Sequence, residues 1–294
     1  MSSILVTGAT GKQGQATLAA LAQAQVANVK ALTRNPSGPR GQALSQDYNA
    51  QPVKGDLNDK ASLQSAMSGA SAAFLVTTFD DAKGTDGEVE KGKIFVDAAL
   101  ASPSVKHIVF SSVGSASSAP SVPHFASKAK IEDYLKAQWK GENRTWTIVR
   151  PVAFFDNFDP NPGMARFGAL SFFGSLLGNT KVDFIAVEDI GRVAALALQS
   201  PQKFHGQTIE LASQHLSTAD IQKAIPGGAW KMYIPPFILF KILPYDLSQM
   251  FKWFVSDGYH GDLQAVRKQF PFLLTFEQWA KKGQDAAAAK KKKA

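Results

Sequence analysis

The sequence predicts an α/β fold: a doubly wound parallel sheet followed by a smaller, mostly helical C-terminal region. Three observations lead there. Apolar, strand-like runs alternate with helix-like segments from residue 4 to residue 151. The first run passes directly into three glycines at G-x-x-G-x-x-G spacing. Beyond Pro151 the alternation stops, and fifteen of the twenty phenylalanines lie past it. Regular alternation means a parallel sheet with helices on both faces, because parallel neighbours need a crossover connection.

The first strand, Ile4-Leu5-Val6-Thr7, leads into Gly8-Ala9-Thr10-Gly11-Lys12-Gln13-Gly14 and then a helix carrying Thr17, Leu18 and Leu21 at apolar spacing. Gly8 permits the tight turn, Gly11 lets backbone N–H groups approach a pyrophosphate, and Gly14 lets the helix pack close to the sheet. A helix beginning near Lys12 adds unpaired N–H groups and the positive end of a dipole. Val29-Lys30-Ala31-Leu32-Thr33 reads as the second strand and completes a β-α-β unit. Arg34 stands at its end, where dinucleotide folds often carry an acid for the ribose hydroxyls. A guanidinium pairs instead with a 2′-phosphate, so the residue points to NADP(H) rather than NAD(H).

The third strand is Pro52 to Leu57, including Gly55 and Asp56, and a short helix follows from Asp59 to Met67. Ala72-Ala73-Phe74-Leu75-Val76-Thr77 is an unbroken apolar run, as expected of a parallel strand buried on both faces. A loop from Phe79 to Gly87, a helix from Glu88 to Ala101 and a fifth strand, His107 to Ser112, come next. Pro123 opens a helix with Ile131 and Leu135, and Thr145 to Pro151 is the sixth strand. Ligands of such sheets bind beyond the carboxyl ends of the strands, so Gly8, Arg34, Asp56, Thr77, Ser111 and Pro151 are expected at one crevice.

Past Pro151 the chain is punctuated by segments such as Asp159-Pro160-Asn161-Pro162-Gly163. One α/β element returns, a strand from Val182 to Val187 and a helix through Leu198. Glu188 and Asp189 at that helix's start are read as dipole and capping partners. Trp230, Tyr233, Phe237, Phe240, Phe251, Trp253 and Phe254 belong to a smaller helical region, either as ordinary core or as the lining of a pocket for an apolar or aromatic molecule. The expected division is a dinucleotide-binding domain over residues 1–150, with 182–212 returning to it, a substrate-binding region over 151–181 and 213–284, and a tail over 285–294.

Composition narrows the function. The chain has 294 residues, 45% of them hydrophobic, which fits one large α/β domain or one and a half. The absence of cysteine rules out disulfides and thiolate chemistry and suits a cytoplasmic protein. No signal or transit peptide is expected at the N-terminus. The five histidines show no ligand spacing, so no metal site is expected. No apolar run reaches membrane-spanning length, and neither a membrane nor direct nucleic-acid binding is expected. Of the net charge of +8, Lys290 to Lys293 contribute four; this tail is read as a solvated low-complexity segment, with a nuclear-import or anionic-surface patch as the alternative.

In Val122-Pro123-His124-Phe125-Ala126-Ser127-Lys128, His124 and Lys128 share one helix face at i, i+4. Short-chain dehydrogenases use a Tyr-x-x-x-Lys pair there, the phenol donating a proton and the lysine holding the nicotinamide ribose. Here the phenol is replaced by an imidazole, which titrates near neutrality and is able to serve as acid or base. Ser111 and Ser112 are the next candidates for a proton donor.

These residues together resemble the NmrA-like family of atypical short-chain dehydrogenase/reductases. The resemblance rests on Gly8 to Gly14, Ala31-Leu32-Thr33-Arg34, Gly55-Asp56, Pro123 to Lys128 with Ile131-Glu132-Asp133-Tyr134, Arg150-Pro151 to Asp156-Asn157-Phe158, and Phe184 to Gly191. It implies an NADP-binding Rossmann domain with a small C-terminal domain, and it makes the His-x-x-x-Lys form a common variant. The expected cofactor-binding set is Gly8, Thr10, Gly11, Lys12, Gln13, Gly14, Arg34, Asp56, Leu57, Thr77, Thr78, Lys128, Pro151 and Asn157, with His124 and Lys128 as catalytic candidates. Three functions remain open: NADPH-dependent reduction of an apolar or aromatic carbonyl or imine, a redox-sensing regulator with a protein partner, and a non-redox condensation in a pocket completed by the cofactor.

Overall fold

The chain opens with β1 (Ser3–Val6), α1 (Lys12–Gln23), β2 (Val29–Thr33), α2 (Pro39–Tyr48), β3 (Gln51–Lys54), α3 (Lys60–Met67), β4 (Ala70–Val76), α4 (Gly84–Leu100), β5 (His107–Ser111), α5 (Pro123–Gln138) and β6 (Thr145–Pro151). Next come β7 (Ala153–Phe154), α6 (Met164–Leu177), β8 (Val182–Ile185), α7 (Val187–Gln199), α8 (Pro201–Phe204) and β9 (Gln207–Leu211). The last elements are β10 (Gln214–Leu216), α9 (Thr218–Ala224), α10 (Pro236–Ile242), α11 (Tyr245–Ser256), α12 (Leu263–Gln269) and α13 (Phe276–Lys291). This is a computed structural model, and it describes residues 2–161, 163–225 and 229–291.

The main sheet has the order β3-β2-β1-β4-β5-β6-β9, and the pairs from β3 to β6 are parallel. Strand order reverses between β1 and β4, the switch point where such sheets open to a ligand. Leu5, Ala73, Phe110 and Ile148 are fully buried along its strands. One core cluster joins Leu5, Leu75, Ile108 and Ile148 of the sheet to Leu63, Phe95, Ile131 and Leu135 of α3, α4 and α5. Helices α1 and α7 pack on each other. Gly191 permits this approach, since a Cβ there would overlap the Ala16 carbonyl group and lie 2.6 Å from the Thr17 nitrogen.

The chain divides into two compact units, the first Met1–Pro120, His124–Arg150 and Val187–Glu210, the second Ser121–Pro123, Pro151–Ala186 and Leu211–Ala294. The second unit holds a three-stranded sheet in which β8 pairs antiparallel with β10 and parallel with β7. Its core is aromatic: Phe155 and Phe276 cross edge to face at 5.2 Å, Phe158 lies 5.0 Å from Phe173, and Phe173 lies 5.4 Å from Phe251.

Four details differ from the sequence reading. Residues 39–48, not read as an element, form α2; Gly38, Pro39 and Gly41 look like loop, yet Pro suits a first helical turn, and only Gly41 and Leu44 are buried to give the helix a pattern. Helix α4 begins at Gly84 rather than Glu88, which places Glu88 inside the helix. Strand β8 was read as returning to the first domain with residues 182–212, but it lies in the small sheet; the seventh strand of the large sheet is β9. Residues 285–291, read as a solvated tail, continue α13, since an alanine and lysine run has high helix propensity. Lys292 and Lys293 of that tail, and Pro162 of the punctuated segment, lie outside the described residues.

Candidate functional site

The glycine loop follows β1 as the spacing predicts. Gly8 is left-handed, with φ +58°, and a Cβ there would overlap Val76 at the end of β4. Its carbonyl accepts a hydrogen bond from Gly11 N at 2.8 Å, closing the turn. Gly14 passes so close to this turn that a Cβ would overlap the Gly8 carbonyl oxygen and lie 2.8 Å from Ala9 Cα. Gly11 is the N-cap of α1, and no side chain caps that end. Gly8, Gly11 and Lys12 are exposed, whereas Gly14 is buried. Thr10 accepts at its carbonyl from Gln15 Nε2, 3.3 Å away. Gln13, expected in the cradle, accepts from Ser111 Oγ at 2.5 Å and ties the loop to the end of β5.

Arg34 follows β2 and is exposed. Arg40, also exposed, lies in the first turn of α2 and adds a cation to the same connection, which the sequence reading missed by leaving α2 unread. Asp56 follows β3; one carboxylate oxygen accepts from Asn58 N at 2.9 Å and Asn58 Nδ2 at 3.0 Å, a local turn closure. Leu57 is partly buried against the core cluster.

Past β4, Thr77 is buried and Thr78 exposed. Lys91 of α4 donates to the Thr78 carbonyl at 3.1 Å and pairs with Asp81, holding the loop in place. Lys128 does not stand alone. Its Nζ donates to Glu88 Oε1 at 2.7 Å, to the Thr77 carbonyl at 3.2 Å and to Thr77 Oγ1 at 3.3 Å. Thr77 Oγ1 donates to Glu88 Oε1 at 2.9 Å, and Ser127 Oγ donates to Glu88 Oε2 at 2.5 Å. His124, one turn before Lys128 on α5, is buried; its ring stacks on Phe79 at 4.9 Å and meets Phe125 edge to face at 4.8 Å.

A second buried network closes the same edge of the sheet. Ser112 Oγ donates to Glu132 Oε1 at 2.5 Å, and Arg150 clamps Glu132 with bonds of 2.8 and 2.7 Å while reaching Glu210 at 2.9 Å. Burial pulls the Arg150 guanidinium down, but hydrogen bonds and charge from Glu132 and Glu210 outweigh it and hold it above its ordinary value. Both serines named as alternative proton donors therefore have acceptors in the protein. Pro151, buried at the end of β6, and Asn157, exposed, both belong to the second unit.

The second unit answers what its aromatics do. Phe251, Trp253 and Phe254 are core, at most 5% exposed, whereas Trp230 is 86%, Tyr233 71% and Phe237 64% exposed. The exposed segment is fixed by its backbone: Ser171 and Ser175 of α6 accept from Met232 N and Ile234 N, each at 2.8 Å. Among the described residues no helix is long and apolar enough to cross a membrane, and no cluster of His, Asp and Glu fits a metal ion.

Set beside known proteins, the chain matches the profile of the NmrA-like family over residues 1–279. It is 30% identical over 251 residues to the NmrA-like family domain-containing oxidoreductase cpsB of Aspergillus campestris, covering 78% of this chain and 73% of that one. Its fold resembles the NADPH-dependent quinone oxidoreductase of Escherichia coli complexed with NADPH, with a TM-score of 0.74, 20% identity and coverage of 95% and 98%. It also resembles the negative transcriptional regulator NmrA in complex with NAD, with a TM-score of 0.73, 20% identity and coverage of 95% and 94%.

Proposed function

The chain belongs to the NmrA-like family, and from that premise we propose that it binds NADP(H) and reduces an uncharged, apolar or aromatic carbonyl or imine compound. The observation that carries the reading is the glycine cradle: two of its glycines leave no room for a Cβ, the rim is exposed, and the open N-terminus of α1 faces out of it. Such a terminus suits a pyrophosphate. The cradle fits a dinucleotide, with Gly8, Thr10, Gly11, Lys12, Gln13 and Gly14 around the phosphates, Arg34 on the 2′-phosphate, Asp56 and Leu57 toward the adenosine, and Thr77, Thr78 and Lys128 toward the nicotinamide. NADPH, when bound, supplies a hydride.

The chain's own residues are left to orient the substrate and move one proton, and His124 is the proposed donor. The charge pattern supports an uncharged substrate. Lys128 is paired with Glu88, Lys91 with Asp81 and Arg150 with Glu132 and Glu210, so these cations are already compensated. The abundance of aromatic residues beyond Pro151 supports an apolar one. The relatives favour reduction, cpsB being an oxidoreductase and the bacterial neighbour an NADPH-dependent quinone oxidoreductase. The regulator reading rests on the likeness to NmrA and expects dinucleotide binding without turnover.

Calorimetric titration tests the cofactor. NADP(H) is expected to bind more tightly than NAD(H) by about 1.5 to 3 kcal/mol, the worth of charge-assisted bonds to a phosphate. Arg34→Asp is expected to abolish or reverse that preference. Equal affinities of the unmutated protein for the two dinucleotides would remove Arg34 from the account.

A further inference from the structure

We propose that Glu88 is the positioning residue of this site, a buried carboxylate that holds Lys128 at the end of β4 for the nicotinamide half of the dinucleotide. The inference rests on the cofactor reading above and adds a residue to it. Glu88 is fully buried in the second turn of α4, while Glu90, two residues on, is exposed and pairs with Lys83. A carboxylate stripped of water is costly unless charge and hydrogen bonds replace the water. Here they do. Its two oxygens take donors from three residues on two other segments: Lys128 Nζ at 2.7 Å, Thr77 Oγ1 at 2.9 Å and Ser127 Oγ at 2.5 Å.

The geometry locks both candidate residues of α5. Ser127, three residues after His124 on α5, gives its hydroxyl hydrogen to Glu88 at 2.5 Å, so the carboxylate braces the turn that carries His124 and Lys128. The Lys128 ammonium has its shortest contact with Glu88, and its contacts to Thr77 are longer. The longer contacts are the ones a ribose hydroxyl is able to replace; the charged one fixes where the ammonium stands. Lys128 keeps 12% of its side chain exposed, so the pair is anchored from below and open above.

The test separates the two ends of the cofactor. Affinities for NADP(H) and for adenosine 2′,5′-bisphosphate, which lacks the nicotinamide half, are measured by calorimetry for the unmutated protein, Glu88→Gln, Lys128→Met and the double variant, with melting temperatures alongside. Glu88→Gln and Lys128→Met are each expected to weaken NADP(H) about 10-fold or more, the lower end for a charged hydrogen bond, and to leave the adenosine bisphosphate unchanged. The double variant is expected to bind no more weakly than Lys128→Met alone. NADP(H) affinity unchanged in Glu88→Gln, equal loss of both ligands, or additivity with Lys128→Met would each overturn the proposal. If Glu88→Gln does not fold, Ser127→Ala reads the same brace: NADP(H) weakened with the adenosine bisphosphate unaffected supports it, and unchanged NADP(H) overturns it. An unmutated protein that binds neither ligand overturns the cofactor reading itself.

Discussion

Replacing His124 with phenylalanine is expected to lower the turnover of NADPH-dependent reduction by about 10² or more, with NADPH affinity nearly intact. Phenylalanine, though somewhat larger than histidine, keeps an aromatic ring against Phe79 and Phe125 while the proton donor is lost. The brace from Glu88 acts on α5 through Ser127, not through the His124 ring, and survives the substitution. Steady-state kinetics beside a calorimetric affinity checks the split. Undiminished turnover would move the proton to water or to the substrate, because Ser111 and Ser112 already donate to Gln13 and Glu132.

Gly14→Ala is expected to cost dinucleotide binding outright and to lower stability by about 1 to 3 kcal/mol, the range for overpacking a filled site. The added methyl would meet backbone, not the tip of a flexible chain: the Gly8 carbonyl carbon would lie 2.5 Å away and Ala9 Cα 2.8 Å. Relief requires α1 to retreat from the turn, which opens the cradle. Melting temperature and NADP(H) affinity report the two effects. A variant that binds as tightly as the unmutated protein would show that the loop has slack the geometry denies.

The same physics explains what could be read in the sequence. Gly8, Gly11 and Gly14 were legible because a turn with φ +58° and a close helix approach leave few other residues possible. Strands β1, β2, β4, β5 and β6 were legible from their alternation with helical segments, and β4 also as an apolar run buried on both faces. Glu88 was not. In Gly84-Thr85-Asp86-Gly87-Glu88-Val89-Glu90 it looks like any solvated helical acid, and only Lys128 and Ser127, forty residues away, mark it as buried. Strand β8 was misplaced for a related reason: Val182-Asp183-Phe184-Ile185 is short and apolar, and only its pairing with β7 and β10 tells which sheet it joins. The phenylalanines beyond Pro151 announced a different region, but core and surface aromatics look alike until packing separates Phe251 from Trp230.

A chain that reduces an uncharged, apolar or aromatic carbonyl or imine compound must pass hydride to it from NADPH. The direct measurement is isotope transfer: NADPH deuterated at the transferable position of the nicotinamide is incubated with the protein and a panel of aromatic ketones, aldehydes and imines, whose reduced carbon keeps the label, and products are examined by mass spectrometry. Deuterium from one face of the nicotinamide is expected in the reduced product, in an amount matching the NADPH consumed. NADPH bound at the cradle, with no deuterium in any product across the panel, would contradict the account and leave the chain as a dinucleotide sensor.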